Sequence, residues 1–209
     1  MILHVSAGCE VVKYSSRKCA TASAISFLSS PTLVPSFALL FLLYSVEGAN
    51  RLILVVLCVV FASLVPIGML YGLSKVGKIS DFFVSAREQR ASPFIGAISS
   101  YFIGGLLLFA IGAPVIVTSL MFCYGGNTFI LMLITLRWKI SVHASSIAAA
   151  TIAFVSTFGL WAFALLITLI PVGWARVELK AHSPSQFMAA VLVTIVTTWL
   201  QLKVYVPLF

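Results

Sequence analysis

Residues 52–73 read LILVVLCVVFASLVPIGMLYGL, a stretch of 22 residues without a charged side chain. A helix of about 20 apolar residues spans a hydrocarbon core roughly 30 Å thick. Backbone N–H and C=O groups in lipid must be paired within a helix or a closed barrel, and an apolar run without alternation indicates a helix. We therefore expect residues 52–73 to cross a membrane.

The whole chain has the same apolar character. Of its 209 residues, 61% are hydrophobic and 9% are charged, and the mean hydropathy is +1.14. A soluble domain carries roughly 25% charged residues. The composition therefore predicts an all-α integral membrane protein that crosses the bilayer several times and is surrounded by membrane lipids.

Hydropathy divides the chain into seven apolar segments, which predict a bundle of about six to seven transmembrane helices. Residues 1–24 are expected to form a polar N-terminal arm, and residues 25–209 a single helical membrane domain. The segments cover about residues 25–45, 52–73, 93–111, 114–136 and 184–202, with two short ones between His143 and Trp174 divided near Gly159.

Basic residues outnumber acidic ones by 13 to 5, which gives a net charge of +8. If each segment crosses the membrane once, eleven of the basic residues lie on one side of it. They belong to residues 1–24, 75–90, 137–143 and 174–182. The positive-inside rule would place this side in the cytoplasm, but a phosphate site would gather the same residues, so the orientation stays open. In a membrane chain the excess indicates anionic lipid headgroups, and no aromatic–basic pattern indicates nucleic acid.

Two histidines lie at ends of apolar segments, each shortly after a basic residue: His143 follows Lys139, and His182 follows Arg176. Taken singly, each is explained as a side chain at the membrane interface. Histidine is also the residue best suited to attack or to donate a proton near neutral pH. On one side of the membrane, the pair predicts a phosphoryl-transfer site, with one histidine attacking phosphorus and the other protonating the leaving oxygen.

A basic loop, residues 75–90, lies on the same predicted side. Arg87 and Arg90 are three positions apart, so one helical turn would put them on one face. Arginine binds phosphate oxygens through two parallel hydrogen bonds, while a lysine such as Lys78 acts as a point charge. The alternative is a topology loop that rests on lipid headgroups.

The order basic loop, Ser141-x-His143, Arg176-x5-His182 resembles the type 2 phosphatidic acid phosphatase superfamily of integral-membrane lipid phosphatases. The family motifs are Lys-x6-Arg-Pro, Pro-Ser-Gly-His and Ser-Arg-x5-His-x3-Asp, of which the third is the most specific. The phosphatase-like core covers about residues 74–190. The likeness is to a divergent branch associated with prokaryotic and archaeal members, and it implies a location in such a cell membrane.

The resemblance implies a role for each matching residue. His182 would be the nucleophile that forms a phosphohistidine, His143 the acid, and Arg176 a ligand of phosphate oxygens. The substrate would be a phosphomonoester or diphosphate of a lipid, polyprenyl diphosphate or phosphatidate-like, and neither metal nor other cofactor would be required. The further phosphate-binding residues would be Lys78, Arg87, Arg90, Lys139 and Ser141.

The chain departs from the family at several motif positions. Gln186 stands where the family has the aspartate that orients the nucleophilic histidine, so it would fix the ring without supplying a negative charge. Glu88 and Glu178 are candidate replacements for that carboxylate. Ala91 and Ala175 replace the motif proline and serine. A non-catalytic lipid-phosphate binding or transport protein on the same helices, or a structural subunit, is therefore the alternative.

Overall fold

The computed structural model describes residues 17–46, 51–81, 84 and 86–209, and within these ranges the protein is helical without strands. Five of the described helices are long and apolar enough to cross a membrane. Two shorter apolar helices, Val34–Ser45 and Val142–Phe158, accompany them. The all-α class is confirmed, while the expectation of six to seven crossings stays a prediction.

The described α-helices follow one another with short connections, except for the long one over residues 76–90. A π-helical turn (Val60–Leu64) joins two of them into one continuous helix, and a 3₁₀ segment (Leu160–Thr168) precedes another. The helices are α1 (Arg17–Leu28), α2 (Val34–Ser45), α3 (Arg51–Val59), α4 (Val65–Lys75), α5 (Ala91–Ala110), α6 (Val115–Thr135), α7 (Val142–Phe158), α8 (Leu169–Glu178) and α9 (Pro184–Leu208).

The first apolar segment, expected to run unbroken over residues 25–45, is instead divided between α1 and α2. Pro31 lacks an N–H group and disfavours helical geometry at Ser30, and Pro35 lies in the first turn of α2. The helix α1 packs against α8, whereas α2 contacts α3, α6 and α7. The expected boundary after residue 24 thus falls inside α1, and residues 1–16 of the arm lie outside the described part.

The helix Arg51–Lys75 widens into the π turn just before Pro66. In this turn Val65 N donates to the carbonyl of Val60, and Pro66 has no N–H to offer the carbonyl of Phe61. The hydroxyl of Ser100 in α5 donates to that carbonyl instead, at 2.6 Å. One turn further along α5, a Cβ atom on Gly104 would lie 2.5 Å from Phe61 Cβ, so only glycine allows this approach.

The helix α6 is the most buried of the long helices, with α5, α7 and α9 packed around it. Asn127 of α6 donates from Nδ2 to Thr198 Oγ1 at 2.8 Å. Its Oδ1 accepts hydrogen bonds from Thr197 Oγ1 at 2.7 Å and from Gln201 Nε2 at 2.9 Å. Polar side chains in lipid need such partners, and this set ties α6 to α9.

Asn127→Ala is expected to lower the free energy of unfolding by about 1–2 kcal/mol, because three polar side chains of α9 would lose their partner within the bundle. Thermal or denaturant unfolding in detergent micelles measures the change. Leu133→Ala is the matched control, since Leu133 is 47% exposed on the same helix. Equal losses from the two substitutions would contradict a stabilising role for the polar contacts.

Candidate active site

The connection between α6 and α7 places Ser141 and His143 at the start of α7. The hydroxyl of Ser141 caps the helix by accepting a hydrogen bond from Ala144 N at 3.4 Å. The carbonyl of Ile140 accepts a hydrogen bond from Arg90 Nη1 at 3.1 Å, and Arg90 Nε donates to the carbonyl of Val84 at 2.9 Å. The loop that precedes α5 is thereby fastened to the start of α7.

The connection between α8 and α9 folds His182 back onto the turn that carries Arg176. Lys180 adopts a left-handed backbone conformation, with φ of 51°. The carbonyl of Arg176 accepts hydrogen bonds from Ala181 N at 2.9 Å and from His182 N at 3.2 Å. A left-handed residue with hydrogen bonds back to the last turn is a common way to end a helix. It brings the backbone of His182 to the carbonyl of Arg176, although the two residues are six positions apart.

Four side chains with polar or charged heads are buried at this end of the bundle. Arg90 is 6% exposed, Arg176 2%, His143 4% and His182 6%. The charges of Arg90, Arg176 and Lys139 all act on the ring of His182. Residues in or beside three separate connections therefore meet at one place. Buried arginines and histidines in such a group mark a candidate functional site.

Ser26 of α1 contacts both Arg176 and His143. Its hydroxyl accepts a hydrogen bond from Arg176 Nη1 at 2.6 Å. Its carbonyl lies 3.1 Å from His143 Nε2, and because a carbonyl can only accept, Nε2 carries the proton in this contact. Nothing in the sequence pattern points to Ser26, which is 117 residues from His143 and 150 from Arg176.

Burial lowers the pKa of His182 from 6.5 to about 3, and the positive charges of Arg176, Arg90 and Lys139 add to this effect. The side chain of Gln186 opposes the shift. At neutral pH the ring is therefore uncharged, which is the form that can attack an electrophile. Its Nδ1 atom is buried and makes no hydrogen bond within the described part of the chain.

Gln186 has a different main partner from the one that the resemblance implies. Its Oε1 accepts a hydrogen bond from Ser183 N at 3.1 Å, and its backbone N donates to Ser183 Oγ at 3.3 Å. Together these bonds form a capping box at the start of α9. The glutamine therefore stabilises the helix terminus beside His182, and its role in orienting the histidine stays a prediction.

The charge of an acidic residue, Asp81, acts on three basic side chains of this region. It attracts Arg90, Arg176 and Lys139. Burial and the two arginines lower the pKa of Lys139, and the charges of Asp81 and Glu88 oppose that shift. The sequence interpretation gives Asp81 no role, although its place in the basic loop is a signal that could have revealed one.

The remaining predicted residues lie at the margin. Arg87 is exposed, donates from Nη1 to the carbonyl of Arg137 at 3.0 Å, and pairs with Glu88 at 3.5 Å. Lys78 and Glu178 are exposed. The charges of Lys78 and Arg87 are absent from those that act on His182. In the described residues, no three His, Cys, Asp or Glu side chains group as ligands for a metal ion.

The imidazole of His182 is expected to stay neutral as the pH falls from about 7 to about 5, because its pKa in the folded protein is about 3. The unfolded chain takes up a proton on this histidine below about pH 6.5, so the free energy of unfolding should decrease as the pH falls from there towards 3. NMR of histidine-labelled protein in micelles measures the titration, and His182→Asn assigns the signal. A midpoint near pH 6.5 would contradict the burial argument.

Ser26→Asp is expected to weaken vanadate binding at least about tenfold, because a carboxylate at this position would pair with Arg176 in place of the anion. Ser26→Asn has nearly the same shape without the charge and should bind within a few-fold of wild type. Calorimetric titration of the detergent-solubilised protein measures both affinities. Equal affinities for the two variants would show that the anion does not reach Arg176.

No protein-family model, curated protein or solved structure matches the chain. The resemblance to the type 2 phosphatidic acid phosphatase superfamily therefore depends on the motif residues of the sequence alone. The functional interpretation is based on a buried cluster of two arginines and two histidines at one end of an apolar helical bundle.

Proposed function

We propose that this protein is a membrane-embedded lipid phosphatase, which hydrolyses a phosphomonoester or diphosphate of a lipid through a phosphohistidine. One observation carries the proposal: Arg90, Arg176, His143 and His182 are all buried, and they lie close enough for their charges to act on one another although they are far apart in sequence. A phosphoryl group needs positive charge for its oxygens, a nucleophile and a proton donor, and these side chains supply all three.

In the first step, a ring nitrogen of neutral His182 attacks phosphorus with its lone pair. A P–N bond forms while the bond from phosphorus to the leaving oxygen breaks. His143, which the negative charge of the bound phosphate keeps in its protonated, charged form, gives one proton to that oxygen, which leaves as the lipid alcohol or, from a diphosphate, as the lipid monophosphate. Arg90, Arg176 and Lys139 stabilise the charge on the remaining phosphoryl oxygens.

In the second step, water attacks the phosphorus of the phosphohistidine. His143, now without the proton that it gave away, accepts one from the water, and the P–N bond breaks. Inorganic phosphate leaves, and both histidines return to their starting protonation states. The proton balance closes between His143, the leaving oxygen and the water, so this scheme uses only groups of the chain itself.

The low pKa of His182 supports this scheme because the ring is ready to attack at neutral pH. Once phosphate is bound, its negative charge offsets the arginines and favours the charged histidine that forms in the reaction. The site lies at the end of helices with exposed apolar faces, so a headgroup could bind there while its tail stays in lipid. A polyprenyl diphosphate and a phosphatidate-like lipid both fit this description.

Non-catalytic binding or transport of a lipid phosphate is the second candidate function. The specific observation in its favour is that Gln186 forms the capping box of α9. A glutamine is neutral, so it cannot supply His182 with the carboxylate partner that charges up a nucleophilic histidine. A prokaryotic or archaeal cell membrane remains the proposed location for either function.

His182→Asn is expected to lower phosphate release from lipid phosphates about a thousandfold or more, because it removes the attacking nitrogen. The assay compares a panel of polyprenyl phosphates, polyprenyl diphosphates and phosphatidate in micelles. Lys75→Ala is the control, since Lys75 is exposed and lies over the ring of Tyr71 at 5.4 Å. Vanadate should inhibit the wild type, because it mimics five-coordinate phosphorus.

Equal phosphate release from the wild type and from His182→Asn would overturn the assignment of the nucleophile. A wild type that releases no phosphate from any lipid, yet binds one of them tightly, would favour the non-catalytic function. Trapping of radiolabelled phosphate on the wild type, but not on His182→Asn, would establish the phosphohistidine directly.

A further inference from the structure

An apolar groove of about 610 Å³ lies beside the cluster, between α1 and α2 on one side and α7, the 3₁₀ segment and α8 on the other. Its lining is almost entirely carbon. Phe41 and Trp161, two of its walls, are more than half exposed, so the groove opens sideways towards the bilayer. A groove of this kind in a membrane protein is accessible to a lipid chain without passage through water.

Helical spacing joins the groove to the cluster. On α7, Ile147 lies one turn beyond His143 and lines the groove. On α8, Val172 lies one turn before Arg176 and also lines it. Side chains four positions apart share one face of a helix. Each of these helices therefore presents a polar group to the cluster and, directly beneath it, an apolar group to the groove.

The groove continues along one face of α7, through Ala150 and Phe154 to Phe158. From Ile147 to Phe158 the helix rises about 17 Å. Half of a hydrocarbon core roughly 30 Å thick is about 15 Å, so the groove is as deep as one leaflet. Aromatic rings line its far end: the ring centroid of Phe41 lies 5.2 Å from that of Phe154, in a tilted arrangement, and 5.8 Å from that of Phe158, edge to face.

The geometry points to a single lipid chain in this groove, so that the substrate of the proposed phosphatase is a single-chain lipid phosphate rather than a diacyl lipid. The inference rests on the proposed function, which puts a phosphate at the cluster. The volume of the groove is in the range that holds one drug-sized ligand. One chain matches this volume and depth, and the second chain of a diacyl lipid would remain outside.

Binding of phosphonate analogues, which cannot be hydrolysed, tests the inference separately from catalysis. The full chain in lipid nanodiscs is titrated with farnesyl phosphonate, with a lysolipid phosphonate and with a diacyl phosphonate, and thermal stabilisation gives each affinity. We expect both single-chain probes to bind at least about tenfold more tightly than the diacyl probe. The two single-chain probes also distinguish an isoprenoid from an acyl chain.

Two variants alter the groove without touching the cluster. Ala150→Phe fills it and should weaken single-chain binding about tenfold, while Phe41→Ala removes part of its wall and should weaken binding about fivefold. Phe41 is more than half exposed, so its truncation is the safer variant for folding. Ala110→Phe, at an exposed position of α5, is the control. Vanadate, which has no chain, should bind all of these variants as it binds the wild type.

Diacyl binding as tight as single-chain binding would overturn the inference. So would unchanged single-chain affinity in both Ala150→Phe and Phe41→Ala, provided that vanadate still binds them. Selective single-chain binding by a protein that releases no phosphate would support the groove and contradict the phosphatase. The two proposals therefore fail in different ways.

Discussion

Two guanidinium groups buried at one end of an apolar bundle are the constraint on which this structure depends. A buried charge is costly unless hydrogen bonds or opposite charges compensate it. Arg90 obtains two backbone carbonyls from neighbouring loops, and Arg176 obtains the hydroxyl of Ser26 from α1. These partners come from parts of the chain that are distant in sequence, so the arginines draw α1, α7 and α8 together.

The same burial sets the protonation state of His182. A histidine beside arginines and shielded from water is driven to the neutral form, which is the form of a nucleophile. An anion placed among these cations would be stabilised by groups that are already oriented, without the cost of rearranging them. The apolar groove extends the site into the bilayer, so headgroup and chain would be held by the same helices.

Much of the fold could be predicted from local sequence. The long apolar runs and Gly159, with φ of 94°, mark helices and a helix end through neighbouring residues alone. Hydropathy does not predict the break after α1, because Pro31 lies in an apolar run and membrane helices often tolerate proline. Arg176 and His182 are predictable from the sequence because the short Arg-x5-His motif contains both. Ser26 is not predictable in this way, since its contacts span 117 and 150 residues. The capping bonds of Gln186 to Ser183 were not predicted either, because the motif position of this residue indicates only a partner of His182.

The π turn before Pro66 inserts one residue into the helix Arg51–Lys75. One extra residue turns everything after it by about 100° around the helix axis. The side chains of α4 are therefore rotated around the helix axis relative to the regular continuation of α3. A pattern of buried and exposed positions extended without this shift from α3 into α4 would assign the residues of α4 to the wrong neighbours. A helix long enough to cross a membrane thereby presents two differently oriented faces to the bundle, one before the π turn and one after it.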